Sequence, residues 1–401
     1  MFRKCKAVFL KELYFFAIFV LRLYLKKTGE DPAMRYTRLD GCRAWLTYGQ
    51  FRAERLTEIL QDYGSAEYVY DEFIGGHEDV LEPYASAEQL AMLREHAKPD
   101  AMHEMMVTMQ KHEMRIMSID DFIYPDSLRD IPDPPPLLFY RGNPDCLLGK
   151  CITIIGTRTP SQTALAATDR IAYELSRHGV HIVSGLAVGV DTAAHQGCIN
   201  GGTTTIGVMA CGLDVNYPVG NKKIRNSVLN TGGIILSEYP PGTPALGWHF
   251  PIRNRILAGL GKAVVLVEAK IQSGSMTTVN HALSQGKEVF AYPGNIGTFW
   301  AEGSHQLLRE GANYFTSAQD ILEDMGWDQD APAPAKEEKE ALPPLTDEQR
   351  VVFSHLSQGE KSFDQLCAET GLEPSVLSGA LTMLQILGMI KSLPGKTYIR
   401  V

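Results

Sequence analysis

The 401-residue chain has seven cysteines (Cys5, Cys42, Cys146, Cys151, Cys198, Cys211 and Cys367), and no two of them form a C-x-x-C pair. Zinc ribbons and secreted disulfide frameworks are therefore poor readings, and a reduced, cytoplasmic compartment is the better one. Positive charge is also short: 38 Lys and Arg stand against 47 Asp and Glu, a net charge of −9. No global field draws in nucleic acid, so any such surface has to be local and basic. Long apolar runs are missing as well. The stretch from Ala7 to Leu25 is broken by Lys11, Glu12 and Arg22, leaving Leu13–Leu21 unbroken. That run is too short for a membrane span, which takes about 20 residues. Arg3, Lys4 and Lys6 would suit a signal peptide, but no small-residue cleavage site follows. Residues 1–33 read as an extension outside the fold; a signal or anchor, or an ordered part of the first domain, stay open as alternatives.

Several chemical signatures are absent too. His103-Glu104 lacks the second histidine of H-E-x-x-H. No P-loop G-x-x-x-x-G-K-[ST] occurs, and the run GTRTPSQ after Ile155 carries one glycine where a dinucleotide fingerprint needs three. SGLAVG, beginning at Ser184, is not the G-x-S-x-G elbow, and His195 would share a helix rather than face that serine. Asp191 suits a helix start better than catalysis. These absences leave no catalytic constellation, no cofactor and no metal site.

What is present divides into segments. Residues 34–117 read as short helices; Leu56, Ile59, Leu60 and Tyr63 share one helical face, and Gly64-Ser65 stops that helix. Seven methionines between Met92 and Met117 read as gap-filling core. Four prolines from Pro132 to Pro136 forbid a helix or central strand there, and Leu137–Tyr140 is expected to pair at a sheet edge. From about residue 145 to 325, short β-branched strands alternate with helices. The strands are expected at Cys151–Ile155, His181–Val183, Thr204–Met209, Ile234–Ser237, Ala263–Glu268 and Glu288–Ala291. Near-continuous apolar strands separated by helices predict an α/β, doubly wound, Rossmann-like parallel sheet within a domain spanning residues 118–327. Residues 328–344, rich in Ala, Pro and charge, read as a linker. Residues 345–401 predict three helices and a hairpin, the layout of a winged helix.

Ligands of doubly wound sheets bind outside the carboxyl ends of the strands. The conspicuous motifs all follow strands: Gly156-Thr157-Arg158, Ser184-Gly185, Tyr217-Pro218 with Lys222 and Lys223, and Ser273-Gly274-Ser275. Small residues there let backbone N–H groups approach an anion. Arg253-Asn254-Arg255 adds cations in an apolar context. Two arginines at i and i+2 point to different sides of a helix, so at most one meets a given phosphate. The other braces a loop or a carboxylate such as Glu238 or Glu268.

Taken together, the motifs YPxxLRDIPDPPPLLFYRGN, IIGTR, SGLAxGVDxxAH, GLDxxYPxxN, SEYPPG, HFPIRNRILAGL, VVLVEA, SGSMTT and GKEVFAYPG run in order from about Tyr124 to Asp324. Through them the chain resembles the DprA/Smf family of DNA-processing proteins. The segment LTYGQFRAERLTEILQDYGSAE resembles that family's sterile-alpha-motif-like (SAM-like) N-terminal domain. The resemblance implies a cytoplasmic, non-enzymatic protein with an extended Rossmann domain that dimerises through it. It also implies binding of single-stranded DNA, protection of incoming DNA in natural transformation, and loading of the RecA recombinase in recombination. Arg158 takes the place of the family's DNA-contacting arginine, Lys222 and Lys223 its basic residues after the Tyr-Pro pair, and Arg253 and Arg255 border the same pocket. Val188, Gly247 and His305 depart from residues common in the family, which bears on the strength of DNA contact rather than on the fold.

Two other readings remain. In Rossmann-like enzymes of the lysine-decarboxylase-like (phosphoribohydrolase) type, a PGGxGTxxE loop resembles Pro293-Gly294-Asn295-Ile296-Gly297-Thr298, although Asn295 replaces a glycine and Glu302 falls one residue late. A sequence-specific duplex binder would use the third helix of the winged domain. That helix, Pro374–Leu387, has no Lys or Arg, which favours a protein-interaction role instead.

Overall fold

A computed structural model describes residues 36–295, 297–328, 345–356, 359–393 and 395–400. The extension expected at 1–33 and nearly all of the expected linker lie outside the described residues. The described residues form two compact units, one up to 328 and the other from 345.

The first unit is built on a nine-stranded sheet. In chain order the strands are β1 (Arg115–Ser118), β2 (Leu137–Gly142), β3 (Cys151–Ile155), β4 (His181–Ser184), β5 (Thr205–Val208), β6 (Ile234–Ser237), β7 (Ala263–Leu266), β8 (Glu288–Ala291) and β9 (Asn313–Tyr314). Their spatial order is β1-β2-β6-β5-β4-β3-β7-β8-β9. β6 through β9 run parallel, whereas β2 pairs antiparallel with both β1 and β6. The chain thus winds outward from β3 to β6, returns to lay β7 against the other side of β3, and winds outward again. β3 and β7 flank the point where the winding direction changes.

The apolar runs give fully buried strands: every residue of β3, β5, β6 and β7 is buried. Helices cover both faces. The Gln162–Arg177 and Val190–Gly201 helices approach closely, because a Cβ on Gly197 would sit 2.2 Å from the Asp169 carbonyl oxygen. β1 and β9 were not expected from the sequence. β1 displaces β2 from the edge of the sheet, and the expected boundary between 117 and 118 falls inside it. Four residues following a methionine-rich helix are too few to show a period of two.

The helices between Arg38 and Lys111 pack on one flank of this sheet. Their core, with Trp45, Leu46, Ile59, Val69 and Met109 fully buried, is continuous with Phe139, Met209, Ile224 and Val228 of the sheet side. The Trp45 indole Nε1 donates to the Leu93 carbonyl at 2.9 Å. Met105, Met109, Met114 and Met117 are buried, as gap-filling side chains.

In the second unit, helices Asp347–His355, Phe363–Thr370 and Pro374–Ile386 enclose Val352, Leu366, Leu377, Leu381 and Leu384. A three-stranded antiparallel sheet completes it, formed by Lys361–Ser362, Thr397–Arg400 and Ile390–Leu393 in that order. Capping boxes at Thr346 and Ser362 start the first two helices. Among the described residues of the chain, no helix is long and apolar enough to cross a membrane.

His195 is fully buried with Nδ1 2.7 Å from the Thr205 hydroxyl. Burial pushes its pKa down to about 3. The fold holds the ring neutral, while the unfolded chain binds a proton below about pH 6.5. Stability conferred at neutral pH is therefore lost as pH falls through that value, by up to about 1.4 kcal/mol per pH unit. Thermal unfolding of the native chain and of His195→Gln between pH 7 and 5 checks this. The native midpoint should fall more steeply, and parallel curves would assign the acid sensitivity elsewhere.

Candidate nucleic-acid interface

The loops leaving β3 and β7 open a hollow of about 480 Å³ at the point where the winding direction changes. β3 contributes Gly156, Thr157, Arg158 and Thr159, and the loop after β7 contributes Lys270, Ser273, Gly274 and Ser275. Phe250, Arg253 and Asn254 enter from the His249–Leu260 helix. A second hollow of about 140 Å³ lies over the ends of β4 and β5 and shares Arg158, Ala187, Phe250 and Arg253 with the first. The two form one groove along the carboxyl rim. A larger hollow of about 760 Å³, lined by Phe122, Leu148 and Lys262 among others, opens at the amino ends of β3 and β7. The groove at the carboxyl rim is the candidate site, because the helix N-termini and their N–H groups face that rim.

The Gly156–Arg158 turn is clamped on both sides. The Thr157 amide donates to the Glu268 carbonyl at 2.7 Å, and the Val190 amide donates to the Thr157 carbonyl at 3.2 Å. The buried Glu268 carboxylate accepts from the Ser161 amide at 2.9 Å and the Ser161 hydroxyl at 2.7 Å. Gly189, at φ +85°, leaves no room for a side chain, since a Cβ would stand 2.6 Å from the Thr157 carbonyl oxygen. Ser275 donates to the Gly156 carbonyl at 2.9 Å and ties the β7 loop to the same turn.

Held this way, Arg158 is exposed with its guanidinium 5.5 Å from the centre of the Phe250 ring. It has no carboxylate partner among the described residues. Phe250 in turn packs against Tyr217 at 5.7 Å. Ser273 precedes the Gly274–Ser284 helix without capping it, and its hydroxyl oxygen is buried without a hydrogen-bond partner among the described residues. The first turn of that helix faces the hollow through Gly274 and Ser275. An exposed guanidinium, an uncapped helix N-terminus and an unpaired hydroxyl together are the groups that could hold an anion.

The remaining expected residues fall in different places. Arg253 lines the hollow, but its Nη1 donates to the carbonyls of Gly185 (3.2 Å) and Val208, and its Nε donates to the Asn254 side-chain oxygen at 3.3 Å. Burial pushes its pKa down to about 10, with Asp191 acting in the opposite direction. Its bonds make it a strut between β4, β5 and the helix. Asn254 donates to the Gly274 carbonyl at 3.0 Å and carries the strut on to the β7 loop. Gly185 lines the smaller hollow.

Two expectations are corrected. Arg255 does not border the groove: it is buried, donating to Glu238 at 2.7 Å and to Asp133 at 2.9 Å. Burial works against its charge, but those carboxylates outweigh it and hold its pKa above the usual guanidinium range. The i, i+2 spacing sends the two arginines to different sides of the helix, and Asp133, in the proline-rich connector, takes the second. Ser184 is likewise buried, its hydroxyl donating to the Ile154 carbonyl at 2.7 Å, so it joins β4 to β3 rather than lining the groove. Lys222 and Lys223 are exposed in the first turn of the Lys222–Asn230 helix, beyond the residues that line either hollow. They follow the cis Tyr217–Pro218 bond, and Tyr217 and Pro218 do line the groove.

The site also holds residues that were not singled out for it. Asp191 caps its own loop, with Oδ2 accepting from the Gly185 and Ala187 amides at 3.1 and 3.2 Å. It is the one carboxylate lining either hollow among the described residues, and Glu302, which the enzyme alternative requires, is not in that lining. Trp300 lines the groove too, and no local pattern signals it.

Residues 115–326 match the family described as DNA recombination-mediator protein A, and residues 334–396 match the DprA winged helix domain. DNA processing protein DprA of Streptococcus pneumoniae is 44% identical over 205 residues, 51% of this chain and 72% of that protein. Protein Smf of Synechocystis is 32% identical across 73% of this chain and 81% of that protein. The X-ray structure of the Streptococcus pneumoniae protein superimposes with a TM-score of 0.60 at 33% identity, covering 73% of this chain and 99% of that one.

The two cationic environments differ in energetic role. Arg255→Ala strands Glu238, and losing one member of a buried pair costs about 3–5 kcal/mol. Arg158→Ala removes an exposed side chain and should cost under about 0.5 kcal/mol. Urea denaturation of the two variants separates them; equal midpoints would mean that Arg255 is not a structural fork.

Proposed function

Because the chain belongs to the DNA recombination-mediator protein A (DprA/Smf) family, we propose that it binds single-stranded DNA in the groove at the carboxyl ends of β3, β4, β5 and β7. The observation carrying this reading is an exposed Arg158 over Phe250, beside an uncapped helix N-terminus with an unpaired Ser273 hydroxyl. Phosphate neutralisation supplies most non-specific DNA affinity. Arg158 and the amides of Gly274 and Ser275 offer it locally on a chain whose net charge is negative. Phe250 and Tyr217 give bases an apolar face on which to stack, which is tolerant of sequence. The two hollows of the groove, about 480 and 140 Å³, suit an unpaired strand better than a duplex.

Lys222 and Lys223 extend the same surface. Two lysines in the first turn of a helix run against the helix dipole, and a phosphate there would relieve that repulsion.

The family's description as a recombination mediator supports the finer parts of the proposal. In this reading the protein is cytoplasmic, protects incoming DNA in natural transformation and loads the RecA recombinase onto it. It works as a homodimer joined through the Rossmann-like domain, where Leu283 and Tyr314 leave large apolar surface exposed. Sedimentation of Leu283→Lys with Tyr314→Lys tests the dimer, which should dissociate. RecA filament growth on coated single strands tests the loading, which should speed growth.

The central prediction concerns salt. Arg158→Ala should bind oligothymidine more weakly, and the slope of log affinity against log salt should become shallower by about 1. Titration across salt concentrations measures this. An unchanged slope removes Arg158 from the interface.

A further inference from the structure

The same hollow carries a second cation on aromatic rings. The Lys270 ammonium lies 4.3 Å from the centre of the Phe299 ring and 4.6 Å from that of Trp300. The two rings stand 5.4 Å apart and tilted by 60°. Phe299 is 54% exposed, and both Lys270 and Trp300 line the hollow. Like Arg158, Lys270 has no carboxylate partner among the described residues. Two adjacent aromatic side chains held at a loop surface forgo burial that a core position would give them. The anion site formed by Arg158, Ser273, Gly274 and Ser275 lines the same hollow.

We propose that Phe299 and Trp300 form a second base-stacking platform, so that the groove holds one base on Phe250 and another on Trp300, with phosphate at the Ser273–Ser275 turn. This rests on the single-strand reading above. In the structure the Lys270 ammonium covers the rings. A strand supplies a better partner for each group: phosphate for the ammonium, and the face of a base for the indole. The hollow's volume of about 480 Å³ sits within the roughly 300–1,000 Å³ of pockets that take compact organic ligands. That suits a nucleotide or two rather than a duplex.

The test compares an oligothymidine with a strand of equal length in which the central bases are replaced by abasic sites. Both are titrated against the full chain and its Trp300→Ala, Trp300→Phe and Arg158→Ala variants. Trp300→Ala should weaken the intact oligothymidine on the order of 5- to 100-fold, the worth of one base–aromatic stack. It should leave the abasic strand and the salt slope unchanged. Trp300→Phe should retain most of the affinity and lose the part of the fluorescence quenching due to Trp300, which keeps the test usable if Trp300→Ala folds poorly. Unchanged affinity of Trp300→Ala for the intact strand, or equal weakening for both strands, overturns the platform. Arg158→Ala separates the two layers. If it weakens both strands while Trp300→Ala does nothing, only the platform fails; if neither variant affects either strand, the single-strand reading fails with it.

Discussion

The buried carboxylate of Glu268 holds the carboxyl rim of the sheet together at the loop leaving β3. Placed just after β7, it reaches across to the loop leaving β3 and takes both the amide and the hydroxyl of Ser161, while its own carbonyl takes the amide of Thr157. Gly189 presses on the other side of the same turn, where only a glycine fits. Arg158 therefore projects from a backbone fixed at three points. A long, flexible side chain loses less entropy on binding when its anchor is already ordered. The same carboxylate is thereby committed to structure, and Ser161 accounts for hydrogen bonds to both of its oxygens.

The neighbouring charges follow a division of labour that burial enforces. Arg255 sits between Glu238 and Asp133 and pins the proline-rich connector to the helix. Arg253 donates to backbone carbonyls of two strand ends and to Asn254. Both are paid-up structural forks. The groove's cations at Arg158 and Lys270 rest instead on aromatic faces, an interaction worth about 0.5–1 kcal/mol at exposed sites. Those charges are held in place weakly enough to be taken over by a phosphate. An acidic protein can present a local cationic groove in this way without a basic surface.

Much of this was legible in the chain. Apolar runs such as CITII and AVVL separated by amphipathic helices allow only a covered parallel sheet, and the glycines and hydroxyls after those strands mark its carboxyl rim. The short strands β1 and β9 were not legible, because four or two residues carry no periodicity and depend on partners far away in sequence. The fates of Arg253 and Arg255 were half legible: the spacing separates them, but Asp133, 122 residues before Arg255, decides which one is buried in a pair. Trp300 was not legible as part of the site, since its loop joins the hollow only after β8 is laid beside β7.

Sequence by itself determined the layered α/β architecture, the winged C-terminal unit and the rim on which a ligand site would form. These follow from local periodicity and from residue types that tolerate only certain backbones. Tertiary structure alone decided which hydroxyls and guanidiniums face the groove and which are consumed inside: Ser184 and Arg255 inward, Arg158 and Ser273 at the rim. That choice depends on carboxylates and carbonyls brought in from distant strands. A polar group leaves water only where such a partner awaits it, and no local stretch of the chain encodes where that partner lies.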